Sequence, residues 1–187
     1  MKKIIVAAVA AASLATPALA LDKLTFHAEA HGGWDRISSG GGKDDGVAYG
    51  AALGVDIPLG SKLFAGIEAS ADDSSVKDCV SNLFFAGDRT CIGSGRDLSA
   101  VARFGTQLND KFKLYVLGGY ANGRIKASYT GAGTSASFGT NEDGVRLGAG
   151  AEVPLGTKLY SKVEYRYTNY ESDFSRHQVL VGFGVKF

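Results

Sequence analysis

Three residues near the N-terminus, His27, Glu29 and His31, are spaced two apart in the segment HAEAH. On a strand, alternate residues share a face and lie about 6.6–6.8 Å apart. One His–Glu pair could converge on a metal, but no third ligand is evident. No metal or other cofactor is therefore expected, and side chains filling a polar interior are the stronger reading. Glu171, Ser172, Ser175 and His177 bring acid, hydroxyl and imidazole groups into one short stretch near the other end. Nucleophilic catalysis needs such groups positioned in sequence-distant register, which this grouping does not specify, so no enzyme activity is expected. Two charged sets are more telling. The carboxylates Glu29, Asp56, Glu68, Glu152 and Glu164 stand against the cations Arg103, Arg146, Lys162, Arg166 and Lys186. Opposite charges facing a confined interior must pair. They would either plug that interior or, if loosely paired, line a narrow polar path.

The elements that would position these residues are strands. In the last eleven residues, Val179, Val181, Phe183, Val185 and Phe187 alternate with Gln178, Leu180, Gly182, Gly184 and Lys186. A period of two marks a strand with one apolar face. Such a strand left as a free edge would aggregate, whereas closing it onto the first strand removes the edge and lets the apolar face meet lipid. The same alternation runs through Leu24–Asp35, Val47–Ile57, Leu63–Ser70, about Arg96–Leu108, about Phe112–Arg124, Val145–Val153 and Leu159–Tyr167. Tyr115 and Leu117 blur it in the fifth stretch. The charged sets above fall on the non-lipid faces. Pro58-Leu59-Gly60-Ser61, Asn109-Asp110-Lys111 and Pro154-Leu155-Gly156-Thr157 read as tight turns. The segments 38–46, 72–95 and 126–143 read as longer loops, and 171–175 as a moderate one. Eight strands with alternating short and long connections predict an all-β, eight-stranded antiparallel up-and-down transmembrane β-barrel. An eight-stranded interior is just wide enough to be filled by side chains.

Composition fits. The chain has 26 glycines, 10 Phe and 8 Tyr among 187 residues, and its formal net charge is +1, which gives no reason to expect a nucleic-acid partner. A mean hydropathy of +0.01 offers no helical membrane span, but transmembrane strands hide half their residues from that measure. Lys2 and Lys3, the apolar run from Ile4 to Ala12, and Ala18-Leu19-Ala20 have the form of an export signal. Cleavage after Ala20 would leave residues 21–187 as one barrel domain. No cysteine follows the site, so a lipoprotein is not expected. In an exported chain the only two cysteines, Cys79 and Cys91, form a disulfide by default. Free thiols or an intermolecular bridge are the alternatives.

An internal repeat matches GVDIPLGSKLF (residues 54–64) to GAEVPLGTKLY (150–160), which then aligns Glu68 with Glu164. Two matching hairpins four strands apart suit a closed meander. Trp34, Tyr49, Tyr120 and Tyr167 lie towards one end of their strands and Phe26, Phe104, Phe112 and Phe187 towards the other, as aromatic girdles would. With the signal segment, the Pro-Leu-Gly-x-Lys-Leu-aromatic hairpins, Gly119-Tyr120-Ala121, Val163-Glu164-Tyr165-Arg166-Tyr167 and the terminal Phe187, the chain resembles the small bacterial outer-membrane β-barrel superfamily. That superfamily includes OmpA-type barrels, OmpX-like proteins and opacity-type surface proteins. The resemblance implies a Gram-negative outer-membrane location with both termini in the periplasm. It also implies Phe183, Val185 and Phe187 as an assembly signal read by the barrel assembly machinery. Lipid and lipopolysaccharide would surround a monomeric barrel, and the outer loops would meet a ligand the sequence does not name. No peptidoglycan-binding domain follows the last strand, so a cell-wall tether is not expected. The expected role is structural or surface-interactive: envelope integrity, adhesion or ligand contact through the loops. A narrow porin-like channel is the alternative. A lipid A-modifying enzyme ranks behind both, because the His-Ser-Asn signature associated with outer-membrane lipid A deacylases is lacking.

Overall fold

The computed structural model describes residues 24–40, 42–109, 111–131, 133–171 and 174–187. Ala18 and Ala20, the expected signal-cleavage residues, lie outside them. Within them the alternating segments pair as antiparallel strands. These are β1 (Thr25–Ser39), β2 (Gly42–Leu59), β3 (Leu63–Ser74), β4 (Lys77–Ser81), β5 (Arg89–Asn109), β6 (Phe112–Gly131), β7 (Thr134–Pro154), β8 (Leu159–Tyr170) and β9 (Phe174–Lys186). Each strand pairs with its sequence neighbour except β3 and β4, which do not pair; β3 pairs directly with β5, and β1 pairs with β9. Eight strands therefore close into a ring. The closing seam runs from His27 opposite Lys186 to Ser39 opposite Phe174. Reciprocal backbone bonds between Phe26 and Phe187, at 3.1 and 3.0 Å, continue it to the end of β9, where the two rings stack with centroids 6.3 Å apart.

The apolar face of every wall strand points outward. Leu53, Ile67, Phe104, Val116, Leu147, Val163 and Phe183 are all exposed. Tyr115 and Leu117 point inward and are buried, so the blurred alternation of the fifth strand resolves with Leu114, Val116 and Tyr120 outside. A ring of eight strands with an unbroken apolar exterior has no unpaired edge to protect and no water-compatible outer wall, which is the solution a bilayer requires.

Three expectations are corrected. The stretches 38–46 and 126–143 are not loops. They continue the β1–β2 and β6–β7 hairpins, whose ladders run to Ser39–Gly42 and Gly131–Thr134. The irregular stretch 72–95 contains the end of β3, the short strand β4 and the start of β5; β4 pairs with β5 alone, beside the ring. The prolines expected in turns end strands instead: β2 runs through Pro58 to Leu59, and β7 ends at Pro154. The physical reason is common to the hairpins. Above the lipid zone both faces of a ladder meet water, so their residues carry no apolar alternation and resemble loop composition.

Candidate functional site

The lumen is the one place where chemistry-bearing side chains gather in quantity. Every member of the inward list is on the interior side. Arg103, opposite Gly66 on the adjacent strand and so diagonal to Glu68, donates to that carboxylate at 2.9 Å. Its other terminal nitrogen pairs with Glu152, its Nη1 lies 3.0 Å from His27 Nε2, and its guanidinium sits 4.1 Å over the Tyr115 ring. Glu164, the repeat counterpart of Glu68, accepts from the Tyr115 hydroxyl, Arg166 Nε and, at 3.2 Å, Lys162 Nζ. Lys162 also pairs with Glu29, which accepts from Tyr160 at 2.9 Å. Towards the turn end, Lys186 meets Glu152 at 2.8 Å and Lys113 meets Asp56 at 2.5 Å.

The expected metal-spaced trio does not converge. His27 turns to Glu68 and Arg103, while His31 stands between Glu29 at 3.0 Å and Asp72 at 2.5 Å. Among the described residues no cluster of three His, Cys, Asp or Glu side chains is arranged to hold a metal. His177 lies on the outer wall, its Nδ1 hydrogen-bonded with the Tyr165 hydroxyl at 2.7 Å and its ring 4.9 Å from that of Tyr167. Ser172 lies outside the described residues. The ring of His177 thus sits in an aromatic girdle, bonded to Tyr165.

A second charged layer lies above the first, and of its charged members only Arg146 was legible in the sequence. Arg176 forms a two-pronged pair with Asp35, at 2.8 and 2.7 Å, and reaches Asp97 at 2.9 Å. Arg146 donates to Asp97 at 2.6 Å and to Thr168 at 2.9 Å. Asp72 joins the layers through His31 and Arg166. Among the described residues the interior thus holds eight carboxylates, with Asp35, Asp72 and Asp97 added to the five expected, and seven cations, with Lys113 and Arg176 added. Inward glycines create the room. A Cβ on Gly150 would lie 2.4 Å from the Tyr115 hydroxyl oxygen, and one on Gly184 2.3 Å from Tyr160 Cζ. Above the second layer, Tyr170 stacks on Phe174 with ring centroids 4.3 Å apart, and Ile37 and Ile125 pack against them as an apolar lid on the charges.

Such a lumen binds its own charges to each other. The hairpin end is different. There the cysteines are joined, Cys79 to Cys91, tying β4 to β5 across a directly opposed pair. The Asn82–Asp88 turn beyond them is held by the Asp88 carboxylate. Burial pushes that group up, but N–H donors from Phe84, Phe85, Leu83 and Asn82 outweigh it and hold Asp88 below the ordinary aspartate range.

The sequence matches the family described as "Outer membrane protein beta-barrel domain" over residues 4–187. It is similar to the 25 kDa outer-membrane immunogenic protein of Brucella ovis, with 29% identity over 158 residues, covering 83% of this chain and 72% of the relative. It is also similar to the 22 kDa outer membrane protein of Rhizobium leguminosarum bv. viciae, with 35% identity over 124 residues, covering 57% of this chain and 56% of that one. Among solved structures, Ail, the attachment invasion locus protein of Yersinia pestis, in complex with the heparin analogue sucrose octasulfate, superposes with a TM-score of 0.62 at 16% identity, covering 88% of this chain and 98% of Ail. Neisserial surface protein A superposes with a TM-score of 0.57 at 14% identity, covering 87% of this chain and 97% of that one. At these identities the structural likeness speaks for the fold.

Proposed function

The chain belongs to the outer membrane protein beta-barrel domain family, and from that premise we propose that this integral outer-membrane protein works through its long hairpins at the cell surface, supporting the envelope and contacting ligands, with its lumen closed. The observation that carries the reading is the contrast between the two ends of one wall. The interior charges are buried and mutually paired, with Arg103, Arg146 and Arg166 each at most 1% exposed. The hairpins above them are long, polar and open. A narrow porin-like path would need those pairs to part, at the cost of leaving charges unmatched in a low-dielectric interior.

In this reading the short turns and both termini face the periplasm. Lipid and lipopolysaccharide surround the outward belt, and the ring, closed on itself, serves as a monomer. Phe183 and Val185, outward on β9, and Phe187, exposed just past its end, are the residues the barrel assembly machinery would read during insertion. The Ail complex with a heparin analogue suggests the sort of partner a barrel of this shape can hold at its surface. Catalysis and cofactor chemistry have no part in the proposal.

Labelling tests the orientation. An amine reagent that cannot cross the outer membrane should modify the exposed Lys77 and Lys126 on intact cells. It should reach Lys62 and Lys158, at the short turns, only after permeabilisation. The reverse pattern would invert the barrel and remove the surface role.

A further inference from the structure

Four strands rise past the ring as a raised sheet, in which Lys77 lies opposite Gly93, Gly93 opposite Lys126, and Lys126 opposite Gly139. At the far end of its β4–β5 hairpin, Leu83, Phe84 and Phe85 are 52%, 66% and 69% exposed. Apolar side chains are expected on the belt, where lipid covers them, but these three are far above it. Leu98 is the uppermost belt residue of β5, and Arg89 begins the strand. The roughly nine residues between them cover about 30 Å of strand, or about 20 Å of height at a barrel tilt near 45°. A headgroup layer takes up roughly 5–8 Å per leaflet. The protein's own bilayer therefore does not cover this tip.

The tip is built, not slack. The Asp88 carboxylate accepts backbone N–H groups from Leu83, Phe84 and Phe85 at 2.7, 2.8 and 3.0 Å. Gly87 donates to the Asn82 side chain at 2.7 Å, and Asn82 donates to the Asp88 carbonyl at 2.9 Å. Asn82 and Gly87 take φ values of 60° and 88°, the left-handed conformations that such a tight reversal needs. Phe84 rests edge-on against Tyr129 with centroids 6.0 Å apart, and the Cys79–Cys91 bridge clamps the base. These bonds fix the turn with its three consecutive apolar side chains exposed, Phe84 touching Tyr129 only at its edge. The charge of Asp88 is turned into its own loop. Exposed Lys77 and Arg89 share one face of the hairpin with Lys126, and among the described residues none of the three has an ion-pair partner; exposed Asp78 is on the opposite face.

We propose that the Leu83–Phe85 tip inserts into an apposed anionic lipid bilayer, a second membrane facing the cell surface. The turn offers three consecutive exposed apolar side chains, which a fluid apolar phase accepts in any direction. The flanking cations then meet the anionic headgroups. The inference rests on the surface reading above and names its partner as a membrane.

Vesicle tethering tests it. The full chain in lipid nanodiscs is mixed with phosphatidylcholine vesicles, with or without phosphatidylserine, and the vesicles are floated. Wild-type discs should rise with the phosphatidylserine vesicles. The triple variant Leu83→Ser/Phe84→Ser/Phe85→Ser should do so about tenfold less or weaker still, the scale for losing several buried apolar side chains. Lys77→Gln/Arg89→Gln should lower capture by the charged vesicles only, and reduction with alkylation of Cys79 and Cys91 should lower it by loosening the base. Heat-modifiable migration on gels verifies that each variant is a folded barrel. Equal flotation of the triple variant and wild type would overturn the proposal, as would wild-type discs that stay down with every vesicle, which would leave an apolar pocket on a protein as the partner. Both ends of the barrel are accessible in a nanodisc, so failure here leaves the orientation to the lysine labelling, and failure of the labelling leaves the vesicle result intact.

Discussion

Replacing Arg103 with alanine is expected to lower the unfolding free energy of the barrel by about 3–5 kcal/mol, the range for removing one partner of a buried ion pair. Arg103 is 1% exposed and stands between Glu68 and Glu152. Without it the two carboxylates retain only more distant or peripheral cations. Glu68 has Arg166 at 3.7 Å and Lys162 at 3.9 Å, and Glu152 has Lys186 at 2.8 Å near the rim. The Tyr115 ring also loses the guanidinium lying over it. Two responses can relieve the strain of the unmatched charge: unfolding at lower denaturant, or admission of water beside the ring. The midpoint of urea unfolding in detergent or lipid measures the first. Arg103→Lys should fall between, since it restores the charge and loses the two-pronged geometry that serves both carboxylates at once. An unfolding midpoint unchanged by Arg103→Ala would mean that the network fills the lumen without holding it.

Val163→Arg should cost about 2–4 kcal/mol, the scale for an arginine facing lipid near the membrane midplane. Val163 is 55% exposed and lies on β8 between Ala151 of β7 and Val181 of β9, with Tyr165 above and Leu159 below on the same face. Its neighbours in sequence, Lys162 and Glu164, point the other way and are buried in the charge network. A charge is thus stable one residue to either side and costly here, because the period of two exchanges lumen for lipid. Refolding into vesicles followed by denaturant titration gives the number. A cost near zero would place this face in water.

Much of this was readable in the residues because a barrel wall imposes one rule on every strand. Val179 to Phe187 declares its lipid face outright, and the parity of Glu68, Arg103 and Glu164 follows from the apolar residues between them. The two Pro-Leu-Gly hairpins are opposite each other on the ring, which set Glu68 and Glu164 at equal heights. Apart from Arg146, the second charged layer was not legible for a reason of position. Asp35 and Asp97 fall at the ends of alternating segments, Asp72 lies past the last apolar residue of its strand, and Arg176 precedes the first of β9. Each has the right parity, but parity loses its signal where the apolar partner residues stop. The raised hairpins were hidden for the same reason. In Lys126–Asp143 both faces are polar or small, so a ladder and a loop have the same composition. Leu83, Phe84 and Phe85 gave no periodic signal at all; only the bonds to Asp88 show that the turn is fixed with them exposed.

The central claim is that the interior is closed by its own charges and that the protein acts from its outer surface. Single-channel recording on the wild-type barrel in planar bilayers tests this most directly, because a paired and capped lumen has no continuous aqueous column. The expected record is silence or brief, small flickers, with Arg103→Ala conducting more as water enters beside Glu68 and Glu152. A steady, large current from the wild type would contradict the account and make the charged lumen the pore.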